Sequence, residues 1–161
     1  MNHAITESSQ SRVRPDGTWE GIIINASREV FDLMVATDVQ SITKPESFPG
    51  KVSAMVGLAG SLCAVLRVRC SDSAAKSIAT KMLGGQEITD HAAYDAIGEV
   101  CNMIAGNFKA KITGLASACS LSVPTVVVGE DYDLFPLGGH ERFEIFLEYD
   151  TEPLCVILDI S

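Results

Sequence analysis

Two polar residues, Glu99 and Asn102, stand three positions apart in a segment whose apolar residues recur at helical spacing. Because an α-helix turns by about 100° per residue, both side chains would share a face with Asp95 and Gly106. A carboxamide does not titrate in this range, but its oxygen can accept a hydrogen bond from a water while its NH₂ group donates to another acceptor. The pair could therefore orient a water for attack on a phosphoryl group and bind a cation beside it. An isolated E-x-x-N is more often a solvated glutamate and an asparagine bonded to a neighbouring carbonyl.

The element that must position this pair is a long amphipathic helix, which the spacing predicts over residues 94–112. Its buried stripe is formed by apolar residues at i, i+3, i+4 and i+7 spacing, namely Ile97, Val100, Cys101, Ile104, Phe108 and Ile112. The opposite face is not the Lys-, Glu- and Gln-rich surface of an ordinary solvated helix. It carries a carboxylate, a carboxamide one turn later and then Gly106, which has no side chain. This composition predicts a face that docks against another surface.

The run IGEVCNMIAGN at residues 97–107 resembles the signature helix of the CheC/CheX/FliY family, the chemotaxis phosphatases that dephosphorylate the response regulator CheY. The family motif is E-x-x-N followed by a turn of small residues, and the matching positions are Glu99, Asn102, Ala105, Gly106 and Asn107. The resemblance extends from about residue 20 to residue 161 and includes the VPTVVVG run at 123–129. Since the motif occurs once, in the second half, the chain is similar to CheX rather than to two-site CheC.

This resemblance implies a hydrolase that acts on the aspartyl phosphate of a CheY-type receiver domain. Glu99 would form a salt bridge with the lysine of the receiver's active site, and Asn102 would align the attacking water. Asp95, Ala105 and Gly106 would complete the partner-binding surface, with the two small residues allowing close approach. The chain would need no cofactor of its own, since the receiver supplies Mg²⁺. The implied fold is α+β, a pseudo-symmetric domain of two halves with long helices packed on one face of an antiparallel sheet.

Composition and charge restrict the classes of partner. We expect residues 1–17 to form a mobile tail and residues 18–161 a single domain, because a chain of this length can bury a full core. The formal net charge is −9, and residues 83–161 carry 13 acidic but only 3 basic residues. No basic stripe exists for nucleic acid or an anionic membrane, and no apolar run is long enough to span a bilayer. The five cysteines form no C-x-x-C motif, and together with a polar start this predicts a cytoplasmic protein.

Hydrophobic periodicity and turn signals predict the remaining elements. These are helices over 19–35 and 73–83, a hairpin of strands 51–58 and 62–70 around the turn 59–61, and strands at 118–128, 141–149 and 153–160. Pro124 indicates an edge or an irregularity in the first of these last three strands. The similarity between SLCAVL at 61–66 and PLCVIL at 153–158 is compatible with two related halves that share one sheet, or with chance.

Other candidate sites are weaker. Glu29 and Asp32 form an E-x-x-D in the first predicted helix, at the position equivalent to the first CheC site, but this pair lacks the carboxamide, so a second active site is not expected. The three histidines, His3, His91 and His140, are too widely spaced to predict a metal site. Glu130, Asp131 and Asp133 lack the glycine and distal glutamate of a calcium loop, which favours a solvated turn.

Two other functions remain open. One is a non-catalytic module of the same fold that binds a response regulator or a flagellar-switch partner, and the other is a structural dimerisation domain. The presence of both Glu99 and Asn102 favours the phosphatase. We also expect a homodimer, because the chain is 47% hydrophobic and the apolar strand at 153–160 suits contact within a sheet or with a partner. The resemblance implies the same, since CheX proteins pair through their sheets.

Overall fold

The computed structural model describes residues 13, 15, 17–85, 87–130, 132 and 141–161. The helices are α1 (Trp19–Val30, continued by a π-helical turn at Phe31–Val35), α2 (Asp72–Leu83), α3 (Asp90–Ala110) and the short α4 (Leu115–Ala118). The strands are β1 (Gln40–Ile42), β2 (Val52–Gly60), β3 (Ala64–Cys70), β4 (Cys119–Leu121), β5 (Thr125–Val128), β6 (Glu141–Tyr149) and β7 (Glu152–Ile160). Most of the predicted tail at 1–17, two of the histidines and two members of the acidic cluster lie outside the described residues (His3, His140, Asp131 and Asp133).

Helix α2 begins and ends at the residues that its capping signals predict. The Ser71 hydroxyl accepts a hydrogen bond from the backbone N–H of Ala74 at 3.0 Å, which satisfies one of the free donors of the first turn. Gly84 ends the helix in the left-handed conformation, with φ of 76°, which glycine adopts at low cost. The predicted helix over 73–83 is therefore confirmed.

All seven strands form one antiparallel sheet in the order β1-β6-β7-β3-β2-β4, and β5 also pairs with β2. The order is symmetric about the central β3–β7 pair. On each side of that pair lies the hairpin partner, followed by a short strand that comes from the other half of the chain. The predicted α+β fold with two related halves is confirmed.

The main core lies between the helices and one face of this sheet. Alternate residues of β7, including Leu154, Val156 and Leu158, enter it together with the buried stripes of α1, α2 and α3. The intervening residues Cys155 and Ile157 form a smaller cluster on the other face. On that face, Asp159 is buried and accepts hydrogen bonds from two arginines, Arg67 at 2.8 Å and Arg142 at 2.6 Å. Among the described residues, no helix is both long enough and apolar enough to cross a membrane.

Three details differ from the sequence-based expectations. The turn of the first hairpin lies at 61–63 rather than at 59–61, because β2 extends to Gly60 in pairing with β4. The predicted strand 118–128 is divided into β4 and β5, and α4 precedes it. Strand β7 is not available to a partner through its edges, because both are already hydrogen-bonded, to β3 and to β6. The apolar composition of this strand therefore reflects contact within the sheet, and it does not support a homodimer through the edges of β7.

Candidate functional site

Helix α3 is the element that carries the candidate site, and it is fixed at its start and along its length. The Thr89 hydroxyl accepts a hydrogen bond from the backbone N–H of Ala92 at 3.1 Å, which caps the first turn. The predicted apolar stripe is fully buried, and it packs against β2, β3, α1 and α2. The helix runs from Asp90 to Ala110, so it extends before the amphipathic stretch 94–112 to the position at which the sequence signals a cap, Thr89 or Asp90. A long helix held along one face in this way presents its other face as a rigid surface.

Glu99 and Asn102 both lie on the outer side of α3, as predicted. The Glu99 side chain is exposed, and Asn102 is half-buried. Neither side chain makes a hydrogen bond or an ion pair with any residue in the described part of the chain, although nearby polar residues of the same helix do. The carboxamide is thus not bonded to a neighbouring carbonyl within the described structure, which removes the structural explanation that the sequence left open for Asn102.

The three other predicted contact residues have different surroundings. Asp95 is exposed and lies 3.1 Å from the Nδ1 of His91, one turn earlier. Gly106 is half-buried, and a Cβ added there would meet only Leu121 Cδ1, at 3.9 Å, which is an ordinary contact distance. Gly106 is therefore not required for close packing within this chain.

Ala105 corrects the predicted set of contact residues. It is fully buried and belongs to the main core, so its side chain is not part of the outer surface of α3. Ala105 follows Gly98 by seven positions, which places both residues on nearly the same line of the helix. Gly98 is also buried, against Pro124 and Val126. A small residue at these two positions serves packing within the chain.

A segment that the sequence did not assign to the site, residues 121–126, lies along the same side of α3. A Cβ at Gly98 would lie 3.4 Å from Val126 Cγ2 and 3.7 Å from Pro124 Cβ, whereas the corresponding position at Gly106 faces Leu121. The segment therefore runs antiparallel to α3, with Asn102 midway between the two contacts. Two signals in the sequence fell on this segment, the irregularity expected at Pro124 and the VPTVVVG run at 123–129 that is part of the family resemblance, but neither assigned it to the site.

The pair Glu29 and Asp32 does not form a second site of the same kind. The Glu29 carboxylate accepts hydrogen bonds from Lys111 Nζ at 2.6 Å and from Asn107 Nδ2 at 2.8 Å. These two hydrogen bonds hold the pKa of Glu29 below its ordinary value, and the bond from Lys111 has the larger effect. In α1 the glutamate thus binds the end of α3, whereas in α3 the equivalent carboxylate faces outward.

The cysteine that precedes Asn102 in the chain is not available as a nucleophile. Cys101, which precedes Asn102, is fully buried, and burial raises the pKa of its thiol to about 12. The same cause raises the pKa of Cys70 and Cys155 to about 12. All three remain protonated thiols at neutral pH and are poor nucleophiles. Within the described residues, no cluster of three or more His, Cys, Asp or Glu side chains could hold a metal ion.

The arrangement can therefore support one kind of chemistry, which is the supply of fixed polar groups to a reaction centre that another molecule carries. Asn102 offers an acceptor and a donor in one planar group, and Glu99 offers a negative charge about one turn away. Both stand on a rigid helix, and that rigidity is needed for orientation to accelerate a reaction.

Comparison with known proteins identifies the family of this chain. The family model of the chemotaxis phosphatase CheX matches residues 52–148. A curated relative from Thermotoga maritima, described as CheY-P phosphatase CheX, is 28% identical over 120 residues, which cover 73% of this chain and 77% of the relative.

Solved structures share the fold. The chemotaxis protein CheX from Vibrio vulnificus superimposes with a TM-score of 0.77 and 17% identity, covering 92% of this chain and 99% of that one. The CheX chain of a CheX-CheY-BeF3-Mg²⁺ complex from Borrelia burgdorferi has a TM-score of 0.72 and 22% identity, covering 89% and 98% of the two chains.

Proposed function

Since the chain belongs to the family of the chemotaxis phosphatase CheX, we propose that it hydrolyses the aspartyl phosphate of a phosphorylated CheY-type response regulator. The observation that carries this proposal is the outward, unbonded placement of Glu99 and Asn102 on a rigid α3. A carboxamide with no partner in the described structure is free to bond a water and a second group on another protein.

The two residues have separate roles in this mechanism. Asn102 reaches into the receiver's active site, where its carbonyl oxygen accepts a hydrogen bond from the attacking water and holds that water in line with the phosphorus–oxygen bond. Glu99 pairs with the lysine of the receiver, which fixes the position of α3 on that surface. An acyl phosphate is already labile, so orientation of one water, worth on the order of 10²-fold, is sufficient catalysis.

The metal belongs to the partner in this mechanism. The structure of the Borrelia relative contains Mg²⁺ together with CheY and BeF3, a mimic of the phosphoryl group. We propose likewise that the receiver binds the Mg²⁺ that neutralises charge on its phosphoryl group, and that this chain adds no ligand. Chelation of Mg²⁺ should then stop turnover and leave the melting temperature of this chain unchanged.

The reaction is tested by timing phosphate release from a receiver that has been phosphorylated with a small acyl phosphate donor and freed from that donor. Catalytic amounts of this chain should accelerate release, and the double variant Glu99→Ala, Asn102→Ala should not. A non-catalytic binding module would associate with the receiver and leave the rate unchanged or reduced. That outcome would refute the phosphatase proposal and support the alternative of a binding module.

Two further proposals concern the location and the assembly of the protein. We propose that it is cytoplasmic, because all five cysteines are free, which suits a reducing compartment. We propose that the chain forms a homodimer, for which the free sheet edges among the described strands are those of β1 and of β4 and β5. A monomer mass by light scattering at tens of micromolar would refute the dimer.

A further inference from the structure

The segment 121–126 contains a β-bulge beside Asn102. Leu58 pairs with Leu121, and Met55 pairs with Thr125. Two residues of β2 thus lie opposite three residues of the partner strand, 122–124. One extra residue in an antiparallel pair is what defines a bulge, and bulges redirect side chains next to active sites.

Hydrogen bonds and packing hold this bulge in one conformation. The backbone N–H of Ser122 donates to the carbonyl of Gly57 at 2.8 Å, and the Ser122 hydroxyl accepts from the N–H of Gly57 at 2.8 Å. The same hydroxyl donates to the carbonyl of Val123 at 3.1 Å. Pro124 has no N–H to pair, and its ring packs against Gly98 on α3. The serine side chain thus takes over a bond that the sheet would otherwise make.

The consequence of the bulge is an apolar side chain displayed to solvent. Val123 is 83% exposed, the highest value among the large hydrophobic residues that the structure describes as exposed. Its neighbours in the chain face α3 on both sides of Asn102, so Val123 stands at the rim of the surface that carries the carboxamide. An exposed valine adds nothing to the core of this chain, but it gains free energy if a partner covers it.

We propose that Val123 is a docking contact for the phosphorylated receiver, seated against apolar surface that borders the phosphorylation site. This inference rests on the proposed function, and it adds a second contact surface to the site. Glu99 and Asn102 on α3 supply the polar contacts, and the bulge supplies an apolar contact beside them. Since the bulge is held by Ser122 and Pro124 rather than by contacts of Val123 itself, side-chain changes at Val123 should leave the fold intact.

The test compares Val123→Asp with Leu33→Asp. Leu33 is 78% exposed, and it lies on the π-helical turn after α1, so the control introduces the same charge at a similarly exposed apolar position. Binding is measured with a CheY-type receiver loaded with BeF3 and Mg²⁺, and rates are measured over a range of phosphorylated receiver concentrations. Val123→Asp should weaken binding and raise the half-saturating receiver concentration at least tenfold, the loss expected when a valine is no longer buried. Its melting temperature and its rate at saturation should change little, and Leu33→Asp should match the wild type in every measurement.

The outcomes separate this inference from the function on which it rests. If the wild type does not accelerate phosphate release, the proposed function fails. If the wild type is active and Val123→Asp binds and turns over like Leu33→Asp, only the docking role fails. If Val123→Asp changes the mass by light scattering instead, the bulge is a contact between copies of this chain and the docking role is again refuted. Should Val123→Asp unfold, the near-isosteric Val123→Thr, which removes apolar surface without charge, must still raise the half-saturating concentration by two- to threefold.

Discussion

Replacement of Asn102 by alanine should separate catalysis from stability, because the two effects have opposite signs. The carboxamide makes no hydrogen bond with any residue in the described ranges, so its removal breaks no internal contact there. Alanine is the better helix former by about 0.6 kcal/mol, and for a domain of this size that gain corresponds to a rise of about 2 °C in melting temperature. Loss of water orientation should lower the dephosphorylation rate by about 10²-fold, or about 2.7 kcal/mol.

Asn107→Ala is the matched control on the same helix. Its carboxamide donates to the Glu29 carboxylate at 2.8 Å, a bond whose loss should cost about 1 kcal/mol and outweigh the gain in helix propensity. This variant should be slightly less stable and nearly fully active. Thermal melting and phosphate release are measured on both proteins. If Asn102→Ala melts several degrees lower, or retains the wild-type rate, the mechanism proposed for Asn102 is refuted.

Three further predictions concern the charge of Glu99, the space around Gly106 and the pH dependence that Asp159 gives to stability. Glu99→Ala should weaken receiver binding measured by titration, and Glu99→Lys should weaken it more because it opposes a cation; equal affinities would exclude the ion pair. Because space is available around Gly106 inside the chain, Gly106→Ala should raise the free energy of unfolding by about 1 kcal/mol, and Gly106→Leu should keep the fold. Gly106→Leu should nevertheless lose activity; a fully active Gly106→Leu would show that the receiver binds elsewhere. Burial alone would raise the pKa of Asp159, but hydrogen bonds from Arg142 and Arg67 outweigh it and hold that pKa below its ordinary value. The stability that this carboxylate contributes is therefore complete above the ordinary pKa of an aspartate, and it is lost as the pH falls through the lowered one. Asp159→Ala should cost about 3–5 kcal/mol in urea unfolding at pH 7, because Arg67 would remain buried without a partner; a smaller loss at pH 7 than at pH 3 would contradict this reasoning.

The features that could be predicted from the sequence are those that depend on local order. The 3.6-residue period predicted α3 and the side on which Glu99 and Asn102 lie, and Ser71 with Gly84 predicted the limits of α2. These signals act between neighbours within one or two turns, so a single segment contains them.

The features that the sequence missed depend on which distant segments meet. An apolar strand can have the same sequence pattern at the edge and in the centre of a sheet, so the central position of β7 was not foreseen. A bulge depends on the register between two strands, and that register cannot be derived from Pro124 alone. Ala105 was assigned to the outer surface because a small residue suits close contact with a partner and with the core alike.

The position of β7 in the sheet constrains how this chain folds. Its register joins Arg67 to Ile157 on one side, and on the other it holds β6, which carries Glu148 opposite Gln40. The first half of the chain therefore cannot complete its part of the sheet by itself. The strand that joins the two halves is β7, and it is synthesised long after β3. Pairing between segments so far apart in the sequence loses much chain entropy before the new contacts stabilise the structure. This loss slows folding. During synthesis the β3 edge of the β2–β3 hairpin therefore stays unpaired until residues 152–160 have been made.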